Sequence, residues 1–131
     1  MSGVRWLAAL VAAAPALAAA QCDAPGARVE SDRIVVVYRT LPPTVAVGQH
    51  FAVEARVCAK GGGAAPTALR VDADMPAHRH GMNYRADVLA KGGGRYVAEG
   101  LLFHMPGRWR LLFDVEAGGR TERLAANLDL E

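Results

Sequence analysis

The feature that most constrains this chain is how often it is interrupted. From residue 33 onward, short runs rich in β-branched and aromatic residues alternate with clusters of Gly and Pro. No long stretch carries the i, i+3, i+4, i+7 apolar repeat of an amphipathic helix. Seven runs read as strands: 33–40, 50–58, 68–74, 84–90, 95–103, 109–116 and 121–130. The run at 50–58 sets Phe51, Val53, Ala55 and Val57 against His50, Glu54 and Arg56. Leu69, Val71 and Ala73, and then Leu124, Ala126, Leu128 and Leu130, repeat the two-residue period. Such alternation buries one face of a strand and leaves the other wet. Seven strands in about 100 residues predict an all-β fold, an immunoglobulin-like antiparallel β-sandwich. Phe103, Trp109 and Phe113 are its expected aromatic core, and Gly107 is expected at a positive-φ turn position.

The chain has 131 residues, one domain's worth. Its first 20 residues read as a secretory signal peptide: Arg5 is the positive n-region, 6–14 the apolar stretch, and Ala18 and Ala20 the small-x-small cleavage pattern. The mature domain is then 21–131. The alternatives are a retained N-terminal anchor, although the apolar run falls short of the ~20 residues of a spanning helix, and lipidation at Cys22. Export implies a periplasmic or secreted protein in an oxidising compartment. There the only two cysteines, Cys22 and Cys58, read as one disulfide, with a metal-ligand role for one of them as the alternative. Fifteen Lys and Arg against thirteen Asp and Glu leave a net charge of +2, which argues against a nucleic-acid partner.

Antiparallel succession has a consequence for the histidines. The connections that follow the first, third and fifth predicted strands share one end of the sandwich. His50, His78, His80 and His104, all the histidines of the chain, fall at that end. Cys22 and Cys58 fall at the other, which favours their pairing.

The segment from Asp74 to Met82 carries most of the chemistry. It reads Asp-Met-Pro-Ala-His-Arg-His-Gly-Met, with imidazoles at 78 and 80 and thioethers at 75 and 82. His104 and Met105 add one of each. Thioethers suit Cu(I), and imidazoles suit Cu(I), Cu(II) and Zn(II). In an extended segment, His-x-His would point both rings to one side. The expected metal ligands are His78, His80 and His104, with Met75, Met82 and Met105 behind them and His50 as an outer neighbour. Copper is expected ahead of zinc. Each residue taken alone also fits a solvated loop histidine or a gap-filling methionine. Other chemistries find little: Ser31 is the only serine of the predicted mature chain and lies away from the histidines, and the glycine runs at 61–63 and 92–94 lack the Lys-Ser/Thr of a phosphate loop. Asp72 and Asp74 share a strand face and read as a solvated edge.

The run 75–82, the segment Gly94-Arg-Tyr-Val-Ala-Glu-Gly100 and His104-Met-Pro-Gly-Arg-Trp109 together resemble the YtkA-like domain, which is similar to the periplasmic part of FixH-type proteins. The resemblance spans about residues 65–116. It implies a small exported β-sandwich, with Tyr96 and Trp109 in the core, Gly100 and Gly107 at turns or close contacts, and a role in copper handling for respiratory oxidases. The sequence therefore predicts a copper-binding protein rather than an enzyme, a buffer or chaperone that hands the ion to a protein partner, with a membrane partner among the candidates. The competing expectation is a metal-free interaction module that uses the same loops. A copper redox enzyme ranks third.

Overall fold

The computed structural model describes residues 20–131, so the predicted signal peptide at 1–20 lies, but for its last residue, outside the described residues. Nine strands follow a short 3-10 turn at Ala20–Asp23: β1 (Ala27–Glu30), β2 (Ile34–Leu41), β3 (His50–Ala59), β4 (Pro66–Met75), β5 (His80–Gly81), β6 (Asp87–Gly92), β7 (Arg95–Leu102), β8 (Gly107–Ala117) and β9 (Arg120–Leu130). A second 3-10 turn, Pro76–His78, links β4 to β5. The strands form a five-stranded sheet, β1-β2-β3-β7-β6, and a four-stranded sheet, β5-β4-β8-β9. Every pairing is antiparallel. With β1 set aside, the orders β2-β3-β7-β6 and β5-β4-β8-β9 are the ABED and C′CFG arrangement of the immunoglobulin sandwich.

The predicted all-β sandwich is therefore what the chain adopts, with two strands more than the expected seven. The additions are β1 and the two-residue β5, both too short to show a period. The predicted strand at 84–90 instead runs from Asp87 to Gly92, because ladder pairing to β7 starts only where Asp87 meets Glu99.

The core lies between the sheets and is filled by the inward residues of each strand. Trp109, Phe103, Phe113, Met75, Leu101 and Leu111 are its largest fully buried side chains. Tyr96 and Ala98 point inward on β7, and so does Leu101, three residues on. A bulge makes this possible: the register with β3 shifts between Phe51 and Val53, opposite Gly100 at φ 82°. One extra residue flips the parity of the strand. Leu101 and Phe103 then stay inside, and His104 emerges at the end.

Strand β2 is buried on both faces, as its unbroken Ile-Val-Val-Val-Tyr run requires. Val36 and Tyr38 face the main core, while Val35 and Val37 pack under Cys22 on the outer face. Cys22 and Cys58 form a disulfide with a Cα–Cα distance of 6.3 Å. It pins the N-terminal segment over the sheet at the end where Cys58 pairs with Val35.

Candidate metal site

The opposite end carries the histidines. There His50 opens β3 opposite Leu102, Met75 ends β4 opposite His80, and Gly107 opens β8 opposite Leu130. The connections 42–49, 76–79 and 103–106 therefore meet at one pole, as parity predicts. Three imidazoles converge there. The ring centres of His78 and His80 are 5.7 Å apart, and those of His80 and His104 are 5.1 Å apart.

The local chain explains the convergence, by a route other than the one expected. The run 78–80 is not one extended segment: His78 ends a 3-10 turn, and only His80 is in a strand. Pro76 opens a 3-10 turn, a position where its missing N–H costs nothing. Arg79 closes that turn in the left-handed region at φ 56°, ψ 38°, its N–H donating to the Pro76 carbonyl. Arg79 is the only non-glycine residue with positive φ among the described residues. An L side chain in this region costs roughly 1–2 kcal/mol, and strain of this kind concentrates at functional sites. Here it reverses the chain within one residue and brings the two rings face to face, 28° from parallel.

His104 is positioned from the core outward. Phe103 and Trp109 stack inside with ring centres 4.4 Å apart and planes 13° from parallel. The Trp109 Nε1–H donates to the Met105 carbonyl at 3.0 Å, which closes the turn that bears His104. The Gly48 N–H donates to the Phe103 carbonyl at 2.8 Å and ties the 42–49 loop to it. Trp109 is also the floor of the cluster: the His80 and His104 rings stand roughly edge-on to it, with centres 5.9 and 5.4 Å away. Sequence reasoning placed Trp109 in the core and missed this second role.

The remaining expected ligands divide. Met82 and Met105 are half-buried and pack against the main core from the pole. Met75 was expected on a loop, but it is the last residue of β4 and only 1% exposed. It continues the inward series Leu69, Val71, Ala73, and this parity could have revealed it. Its Cε methyl leaves no room beside Gly107, where a Cβ would come within 2.8 Å of it. Gly107 also has the expected positive φ, 123°. His50 stands apart from the three rings and packs edge-on against Tyr84, with centres 5.2 Å apart.

The His80 Nδ1 lies 3.2 Å from the Gly81 carbonyl oxygen. With its proton on Nδ1, this ring donates to that carbonyl and keeps Nε2 as its open lone pair. Among the described residues, no three His, Cys, Asp or Glu side chains have donor atoms grouped to hold an ion as they stand. On the outer face of β4 and β8, Asp74 and Arg110 form a bidentate pair at 2.6 and 2.9 Å. The guanidinium holds the Asp74 carboxyl below the usual carboxylate range. Asp74 is thus engaged on the outer face of β4, in line with the solvated-edge reading of Asp72 and Asp74.

No known family profile matches the chain, and no curated protein does. Among solved structures, a DUF4426 family protein from Pseudomonas aeruginosa is similar, with a TM-score of 0.52 at 17% identity. The match covers 79% of this chain and 93% of that one, and at this identity it speaks for the shared sandwich fold alone.

Proposed function

We propose that this protein is an exported copper-binding protein that holds the ion at its histidine pole and passes it to a protein partner. The observation that carries the reading is the meeting of three imidazoles, with His80 and His104 seated on Trp109 and His78 stacked on His80. A metal–nitrogen bond of about 2.0–2.1 Å puts a ring centre about 3 Å from the ion, so two imidazoles on one tetrahedral ion have centres about 5 Å apart. The spacings of 5.1 and 5.7 Å are close to that. Binding then needs ring rotation, which exposed side chains complete in picoseconds to nanoseconds. Met105, next to His104, and Met82 are the thioethers at hand for Cu(I). Met75 serves the packing beneath. Ligands on exposed loops suit hand-over by ligand exchange, and zinc is the competing ion. The Gly-x-Tyr and Met-Pro-Gly-x-Trp pattern supports grouping the chain with YtkA-like domains. The predicted signal segment and the disulfide fit the periplasm or the exterior.

A second reading has its own support. Leu41 at the end of β2, and Val47 and Tyr84 on the connections, are three of the four large exposed hydrophobics among the described residues and lie around this pole. They favour a protein contact surface, with or without metal. One titration separates the two. In a Trp6→Phe chain, Trp109 is the sole tryptophan. Copper should quench its fluorescence with one-to-one stoichiometry, and His80→Ala with His104→Ala should abolish the effect. No quenching by Cu(I), Cu(II) or Zn(II), together with chelator-insensitive partner binding, would move the interaction module to first place.

A further inference from the structure

The outer face of the five-stranded sheet carries an open groove of about 550 Å³, well away from the histidine pole. Its floor is β2, β3 and β7. One wall is the segment at Ala24 and Pro25 that the disulfide pins down, and the other is the hairpin at Lys91.

The charges in this groove do not balance. Arg39, Arg56, Lys91 and Arg95 line it against one carboxylate, Glu54. The excess of three positive charges is larger than the +2 of the whole chain. Glu54 is already paired with Arg39. Arg56 and Arg95 are directly opposite each other in the β3–β7 ladder, both on the outer face. Like charges at such a position destabilise a sheet. Among the described residues, no ion pair involves Arg56, Lys91 or Arg95. The outer face of the other sheet is built differently: Arg110 meets Asp74, Arg123 meets Asp114 and Arg108 meets Asp129. Those three cations have carboxylate partners within the chain, whereas among the described residues Arg56, Lys91 and Arg95 are in no ion pair, and Arg95 donates only to the Gly92 and Lys91 carbonyls at 3.4 and 3.5 Å.

From this we infer that the groove is an anion-binding site for an organic phosphate monoester. A single carboxylate offers one charge and two oxygens. A phosphate monoester offers close to two charges and three terminal oxygens, which suits two guanidinium forks and an ammonium. Val37, Val97 and Pro25 line the same groove and leave apolar surface for the organic part.

The test is calorimetric titration of the full chain with phenyl phosphate, inorganic phosphate and benzoate. Phenyl phosphate should saturate one site, more tightly than either of the others. Arg56→Gln with Arg95→Gln should weaken it by about tenfold or more, the loss expected for charge-assisted hydrogen bonds. Arg108→Gln, which removes a cation elsewhere, should leave it unchanged. The ligand-free Arg56→Gln chain should melt no lower than the parent, since it relieves a like-charge contact, and this separates lost binding from lost folding. Absence of saturable binding, an equal loss in Arg108→Gln, or equal affinity for inorganic phosphate or benzoate would overturn the assignment.

Discussion

Breaking the link between Cys22 and Cys58 is a perturbation whose size follows from chain connectivity. The bond closes a loop with a sequence separation of 36. The chain-entropy relation gives about 13 cal/mol/K for such a loop, or about 4 kcal/mol at 25 °C. Alanine at both positions keeps a Cβ against Val35 and Val37 in the small outer cluster, so loss of the link dominates the effect. In a domain of this size each kcal/mol moves Tm by about 4 °C, so the double variant should melt about 10–15 °C below the parent. Calorimetry on the two chains measures this directly. Metal affinity at 25 °C should be the same in both, because the bond is at the far end of the sandwich from the histidines. A Tm change under about 3 °C would refute the entropic reasoning. A folded double variant with weakened metal binding would refute the separation of the two poles.

Further outcomes follow from individual contacts. Gly107→Ala places a Cβ 2.8 Å from the Met75 Cε at φ 123°, and should cost about 1–3 kcal/mol in urea unfolding. Arg79→Val sets a β-branched residue at φ 56° and should cost about 1–2 kcal/mol. It should also weaken metal binding by spreading His78 from His80, while Arg79→Gly keeps both stability and binding. Asp74 has its carboxyl pKa lowered first by the Arg110 hydrogen bond, so its contribution is present above the unfolded value of about 3.9 and is lost as pH falls through the folded one. Asp74→Asn should therefore cost up to about 1 kcal/mol at pH 7, and progressively less as the pH is taken below about 3.9, in denaturant titrations.

The sandwich was legible wherever a strand had one buried face and enough length to show a period. β3, β4 and β9 announce themselves by alternation, and β2 by its doubly buried apolar run. Connection parity alone put the histidines at one pole and the cysteines at the other. What escaped was local and specific. Arg79 carries no glycine signature for its left-handed turn, so the 3-10 geometry that joins His78 to His80 was invisible. β5 exists only through its pairing with the end of β4. Met75 looked like a ligand by residue type, although its inward parity marked it as core. The role of Trp109 as floor depends on the Phe103 stack across a turn, a tertiary contact that no spacing encodes.

An anaerobic Cu(I) competition titration of the protein against a chromogenic chelator tests the copper assignment most directly. One-to-one binding that is lost in the His78→Ala, His80→Ala double variant, with the thermal melt unchanged, is the predicted result. Failure to compete for Cu(I), repeated with Cu(II) and Zn(II), or undiminished affinity in the double variant, would contradict it.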